Sequence, residues 1–344
     1  MNRTKRFGLL FFAPAIAALL LLGGCRQELL ERTDFVLGTV CTVKLISGGN
    51  KALLDKAFTE LRTIEDELSA NKSGTYIDAV NENAGVAPVA VPAHVFPLIE
   101  RALYFAEKTN GAFDPTVGPL VKLWGIGTDA QRVPAEREIE AACALIDWRD
   151  VVLDKTAGTV FLKRRGMRLD LGAIAKGWAS DRLNELLSGK GAVGIIDLGG
   201  NIQLVGMKKN GKSWKVGVQN PFAERNNSVL ILTLERPMAG ITSGIYERYF
   251  TENGRQYHHL LDTKMGYPID NGLVSVTIIA DSGTKADGLS TTIFALGLER
   301  GLRFAEQEGV DAILVDSGHR IYTTKGARAM ITDAVDSEFS LSGD

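Results

Sequence analysis

With only three cysteines and four histidines, the 344-residue chain cannot build a cysteine-rich metal framework or a disulfide-stapled scaffold. No basic excess is present either: 39 Lys and Arg face 41 Asp and Glu, a formal charge of −2. That balance argues against a nucleic-acid binder, which carries a basic patch or a high pI. Ser- or Pro-rich linkers, low-complexity stretches and internal repeats are missing. So are a Walker GxxxxGK[ST] loop and a GxGxxG fingerprint.

The first 25 residues carry a targeting signal. Arg3, Lys5 and Arg6 make a basic start, and "FGLLFFAPAIAALLLL" is an apolar core too short and too rich in small residues for a typical spanning helix. It ends in "LGGC", the pattern of a bacterial lipoprotein signal, in which small residues let a peptidase reach the backbone before the modified cysteine. Cys25 is therefore the expected lipid anchor, holding the protein to a membrane face without spanning it. The expected location is the bacterial cell envelope, on the periplasmic face of the inner or outer membrane. Cleavage removes Arg3, Lys5 and Arg6, so 36 basic residues remain against 41 acidic ones, a balance of about −5. Cys41 and Cys143 are then the remaining thiols.

The order of elements points to an α+β fold with mostly antiparallel sheet and flanking helices. "FVLGTVCTVKLI" reads as a strand, and "KALLDKAFTELRTIEDELS" and "HVFPLIERALYFAEKTNG" as amphipathic helices. "RLDLGAIAKGWASDRLNELL" reads as a short strand around Leu169 followed by a helix carrying Ile174, Trp178, Leu183 and Leu186 on its apolar face. From residue 193 strands dominate: "VGIIDL", "NIQLVG", "SWKVGVQ", "SVLILTL", "YHHLLD" and "LVSVTIIA". Helices "KADGLSTTIFALG" and "ERGLRFAEQEG" and strands "DAILVD" and "RIYTT" follow. Clustered strands with grouped helices oppose a doubly wound parallel sheet. The expected division is a signal peptide over 1–24, a tether over 25–33, one catalytic domain over 34–330 and a C-terminal tail over 331–344.

Chemistry concentrates in five stretches. In "DLGAIAKGW", Lys176 falls in the first turns of a helix, where unpaired N–H groups suit anions. A phosphate loop, a metal site and a plain strand-to-helix turn all fit that pattern. In "KADGLSTTIFALG", Asp287 and Thr291 are four apart and share a helix face, a carboxylate and a hydroxyl suited to Mg²⁺; helix capping fits the same residues. Asp114 in "GAFDPTVGPL" stands before Pro115 in extended backbone, aimed at a ligand or closing an ordinary turn. His258 and His259 are adjacent on a strand, so at most one faces a given cleft. The two glycines of "IDLGGNI" suggest a bulge or a close backbone approach.

In this order and behind a lipoprotein signal, "GAFDPTVGPL", "DLGAIAKGW", "IDLGGNI", "HHLLD…GYP" and "ADGLSTTIFALG" closely resemble the FAD:protein FMN transferase family, the ApbE-like flavin transferases. The resemblance runs from about Phe35 to about Thr324. It implies a T-fold-like α+β architecture and an Mg²⁺-dependent enzyme. Such an enzyme takes FAD as substrate, passes FMN to a Thr or Ser hydroxyl of an exported protein and releases AMP. It implies metal ligands at Asp287, Thr291 and the Ala173 carbonyl. FAD contacts are implied at Asp114, Lys176 and His259, with Leu37 and Ser69, Ala70 and Asn71 near the flavin or adenine. Lys176 then offsets phosphate charge, and His259, with an imidazole pKa near neutrality, is the expected proton acceptor. Two positions depart from the family. Ser69-Ala70-Asn71 stands where Ser-Thr-Tyr is common, removing a ring face and opening room for water. Leu37 stands where Met is common, an exchange of similar volume. An FAD pyrophosphatase yielding FMN and AMP and a non-catalytic flavin-binding lipoprotein are therefore the alternatives.

Overall fold

The computed structural model describes residues 29–209, 211–225, 227–333 and 336–342. The signal segment and Cys25 lie outside them. Among the described residues no helix is long and apolar enough to cross a membrane.

The chain starts as a hairpin, β1 (Leu30–Val36) and β2 (Thr39–Ser47), followed by α1 (Lys51–Leu68), α2 (Tyr76–Glu82), β3 (Val89–Ala90) and α3 (Phe96–Thr109). Then come α4 (Gly118–Trp124), α5 (Glu136–Cys143), a 3₁₀ turn at Trp148–Asp150, β4 (Val151–Asp154), β5 (Thr159–Leu162) and α6 (Ala175–Ser188). The strand-rich half holds β6 (Val193–Leu198), β7 (Asn201–Val205), β8 (Trp214–Gln219), β9 (Ser228–Leu234) and β10 (Ala239–Gly244). It continues with β11 (Tyr249–Glu252), β12 (Arg255–His258) and β13 (Leu273–Ala280). The last elements are α7 (Gly283–Leu296), α8 (Leu298–Glu308), β14 (Asp311–Asp316), β15 (Arg320–Thr323), α9 (Lys325–Met330) and β16 (Ser340–Leu341).

Nine strands form one sheet in the order β1-β2-β6-β7-β10-β13-β14-β15-β16. Every neighbour pair is antiparallel except β15 with β16. The expected α+β class with mostly antiparallel sheet is what forms. All eight residues of β13 are buried, because both sheet faces are covered. Val276 and Ile278 face the larger core, shared with α1, α3, α6, α7 and α8. Val274 and Ile279 face a second core built by the β8–β9 hairpin. A satellite cluster around Leu120, Trp124 and Ile139 joins α4 and α5 to Leu261.

Several local expectations are corrected. "FVLGTVCTVKLI" is not one strand but the β1–β2 hairpin, turning at Leu37 and Gly38, whose φ values are +56° and +66°. The segment around Leu169 makes only a single bridge, between Arg168 and Val117, because the Asn81 side-chain amide takes both the N–H and the carbonyl of Leu169. β1 begins at Leu30, inside the stretch expected as tether, where cross-strand partners on β2 order it. The expected tail is built into the fold as well: Phe339 is buried and β16 pairs with β15. Cys41 and Cys143 are both free thiols.

Helices α6 and α7 meet where neither has a side chain. A Cβ on Gly177 would lie 2.1 Å from the Gly283 carbonyl oxygen and 2.5 Å from the Asp287 Cβ. A Cβ on Gly283 would lie 2.0 Å from the Ser180 Oγ. Gly177→Ala should therefore force the helices apart and lower unfolding free energy by about 2–3 kcal/mol, the cost of overpacking. Urea denaturation checks this, and a variant as stable as the parent would contradict the contact.

Candidate active site

The first turn of α6 lacks a cap of its own, since Ile174 at its N-terminal boundary has no polar side chain. The cap comes from α7. Asp287, 3% exposed, accepts the Gly177 N–H through Oδ2 at 2.7 Å. In an uninterrupted helix that N–H would bond to the Ala173 carbonyl. Given to Asp287 instead, it leaves the Ala173 carbonyl open to another partner. The preceding turn is tied by Asp170, whose Oδ1 accepts the Gly172 N–H at 2.7 Å, and by Leu171, whose carbonyl accepts from Ile174 and Ala175.

Oδ1 of Asp287 accepts from Asn201 Nδ2 at 2.9 Å and lies 3.9 Å from Lys176 Nζ. Burial pushes the Asp287 carboxyl pKa up, while Lys176 and the Gly177 and Asn201 hydrogen bonds pull it down. Asp287 does not cap its own helix; Ser282 does. One turn along, Thr291 Oγ1 lies 3.1 Å from Ser243 Oγ, which also bonds Ser290 Oγ at 2.7 Å. The expected ligands, the Asp287 carboxylate, the Thr291 hydroxyl and the Ala173 carbonyl, are all hard-oxygen donors. Among the described residues no group of three or more His, Cys, Asp or Glu side chains could hold a metal ion. A cation here would need additional waters or substrate oxygens, which is the habit of Mg²⁺.

The two neighbouring histidines diverge as strand geometry requires. His258 Nε2 bonds the Ile269 carbonyl at 3.0 Å and its Nδ1 accepts from Leu260 at 3.3 Å, so it is a structural core residue. His259 turns the other way. Its N–H and its Nδ1 both donate to the Arg248 carbonyl, at 3.1 and 3.2 Å. A carbonyl only accepts, so Nδ1 carries the proton and Nε2 keeps a lone pair. The pKa near neutrality expected for His259 is corrected: burial, then Arg248 and Lys176, push it down to about 3.

Leu37 sits in the left-handed region, a strained place for a branched side chain. Its N–H donates to Glu65 Oε1 at 2.7 Å. Glu65 lies in the last turn of α1, which also ends in Ser69, so Leu37 and the 69–71 loop hang from one helix end. Asn71 is exposed; its N–H donates to Ser69 Oγ at 3.2 Å. Ala70 and Asn71 share a polar cleft of about 290 Å³ with Lys72, Arg168 and Asp170. Asp114, 6% exposed, is engaged by its own turn: Oδ1 accepts from the Thr116 N–H and hydroxyl and Oδ2 from the Trp148 N–H. Pro115 beside it accepts the Asp170 N–H at 2.8 Å, which places this turn against the one that precedes α6.

A sequence profile of the ApbE family matches residues 37–314. The chain belongs to the ApbE family. The FAD:protein FMN transferase of Treponema pallidum (strain Nichols) is 37% identical over 333 residues, covering 91% of this chain and 92% of its own. That of Klebsiella pneumoniae (strain 342) is 38% identical over 295 residues, covering 85% and 91%. Among solved structures, the ApbE protein of Thermotoga maritima superposes with a TM-score of 0.83 at 32% identity, over 89% of this chain and 100% of that one. The flavin transferase ApbE of Vibrio cholerae gives 0.78 at 27% identity, over 88% and 99%.

Within this ApbE fold, sequence reasoning overlooked Asn201, Arg248 and Asp181. Asn201 ends the "IDLGGNI" motif, so its signal was present: the Gly199–Gly200 turn exists to bring β7 back with Asn201 at its start. Asp181 on α6 accepts from the Gly283 and Thr284 N–H groups and so caps α7. Nothing in "YERYF" marks Arg248.

The depressed His259 pKa fixes a pH response. Above pH 6.5 the imidazole is neutral folded and unfolded, so it contributes nothing. Below that the unfolded chain takes up a proton that the folded one refuses until about pH 3, so stability falls with pH across that window. At pH 5 the loss should be on the order of 2 kcal/mol. His259→Asn should remove this part of the pH dependence in urea unfolding measured at pH 7.5 and 5; an unchanged slope would contradict it.

Proposed function

We propose that this chain is an FAD:protein FMN transferase, moving FMN from FAD to a Ser or Thr hydroxyl of an exported protein and releasing AMP. The observation that carries the reading is the pairing of Lys176 with Asp287 at the start of α6, with the His259 ring within reach of the Lys176 charge. The relatives named FAD:protein FMN transferase, 37–38% identical over most of the chain, support it. Lys176 offsets the charge of the diphosphate. Asp287, Thr291 and the Ala173 carbonyl would hold Mg²⁺, which when bound neutralises phosphate charge and stabilises the leaving group. The acceptor oxygen forms a bond to the FMN phosphorus while the bond from that phosphorus to the AMP oxygen breaks. The hydroxyl proton passes to His259 Nε2, and AMP leaves with the electron pair. An anionic diphosphate beside Lys176 offsets that cation, one of the charges which, after burial, suppress the basicity of His259. The "LGGC" motif supports a lipid anchor at Cys25 and a place on the periplasmic side of the envelope.

A second reading, hydrolysis of FAD to FMN and AMP, is favoured by the cleft at Asn71, which no aromatic residue lines. One experiment addresses both. The protein is incubated with FAD and Mg²⁺, with and without a candidate acceptor, and AMP and acceptor mass are followed. Acceptor-dependent AMP release with an FMN adduct on Ser or Thr is expected; absence of any adduct on every acceptor tried, with steady AMP release, would replace transfer by hydrolysis. Asn71→Tyr should lower acceptor-free AMP release and tighten FAD by up to about tenfold, the worth of a stacked ring.

A further inference from the structure

Arg248 has no place in the chemistry described so far beyond its backbone carbonyl, yet its side chain stands at the rim of the site. The carbonyl is fixed by two bonds from His259, so the residue is anchored to the imidazole itself. From there the exposed side chain passes two glycines, Gly127 and Gly38. Its Cδ lies 3.6 Å from where a Cβ on Gly127 would be, and its Nη2 donates to the Gly38 carbonyl at 3.2 Å, at the tip of the β1–β2 hairpin. That single bond to a neutral carbonyl is a weak hold on a guanidinium with five donors. Among the described residues Arg248 makes no ion pair within 4.0 Å.

Lys176 and Arg248 both bear on the neutral His259 ring, and Arg248 with Arg168 also favours the charged form of the half-buried Asp170. Lys176 has Asp287 3.9 Å away, whereas the Arg248 guanidinium has only the neutral Gly38 carbonyl, so Arg248 is the cation whose charge an entering anion would offset most. A guanidinium matches a phosphate group in a two-bond fork, and Gly38 offers no side chain to hinder its release.

Resting on the proposed use of FAD, we propose that Arg248 is a second diphosphate-binding residue: its guanidinium leaves the Gly38 carbonyl and clamps the substrate diphosphate opposite Lys176. Arg248 thereby links occupancy of the diphosphate to the hairpin tip that carries Leu37. Selection for a dinucleotide over a lone flavin comes from this clamp.

The test is calorimetric binding of FAD, ADP and riboflavin, each with Mg²⁺, to the parent, Arg248→Gln and Arg248→Lys, with thermal unfolding of each. Arg248→Gln should weaken FAD and ADP by about 10- to 100-fold, the loss of a charge-assisted bond, and leave riboflavin and the unfolding temperature unchanged. Arg248→Lys should recover part of the loss. Unchanged FAD and ADP binding in Arg248→Gln overturns the clamp. So does an equal loss for riboflavin, which would make Arg248 a tie for the hairpin alone. A parent that transfers FMN while Arg248→Gln binds normally overturns only this inference. A parent that binds neither FAD nor ADP overturns the proposed function, and this inference with it.

Discussion

One buried carboxylate and one half-buried carboxylate hold two helix starts, each from the other helix. Asp287 on α7 satisfies the first turn of α6, and Asp181 on α6 satisfies the first turn of α7. A helix start leaves orphan N–H groups and a partial positive charge, so each carboxylate supplies both a hydrogen-bond acceptor and a favourable charge. The exchange is possible only because the helices touch at Gly177 and Gly283 with no side chain between them. Everything at the candidate site follows from that contact. It opens the Ala173 carbonyl, sets Lys176 beside Asp287, and brings Thr291 round on the same face of α7.

The electrostatics of the site run against those of the chain. An acidic protein gathers Lys176 and Arg248 around one imidazole and leaves that imidazole neutral far below its usual pKa. The free site is therefore poised for an anion and poorly poised to take a proton. On the proposed function, an entering diphosphate would change both conditions together, because the charges that attract it are charges that suppress His259. Binding of the phosphates and activation of the acceptor would then be coupled through the same two cations.

Much of this was legible in sequence because it is local. Periodicity located α1, α3, α6, α7 and α8, and the i, i+4 spacing of Asp287 and Thr291 placed both oxygens on one face. The β1–β2 turn was missed because Leu37, a branched residue, occupies a left-handed position usually given to glycine or asparagine. Its hold on Glu65, 28 residues away, is invisible to any short window. Asp287 was weighed as a cap of its own helix when it caps another, and Asn201 and Arg248 earn their roles through strands that meet only in the folded sheet. The His259 pKa was misjudged for the same reason: its suppression comes from burial and from cations on α6 and before β11.

The central claim is that one carboxylate both caps α6 and serves as the charged ligand of the site. Comparison of Asp287→Asn with Asp287→Ala separates these duties most directly, by unfolding free energy and by FMN transfer in the same preparations. An asparagine carbonyl can still accept the Gly177 N–H, and the Asn201 amide can turn over to accept from the new NH₂. The account predicts that Asp287→Asn stays within about 1 kcal/mol of the parent while transfer falls by several orders of magnitude. It predicts that Asp287→Ala loses a further 1–3 kcal/mol or so, the cost of a buried unpaired donor. Near-normal transfer by Asp287→Asn, or an alanine variant as stable as the asparagine one, would contradict it.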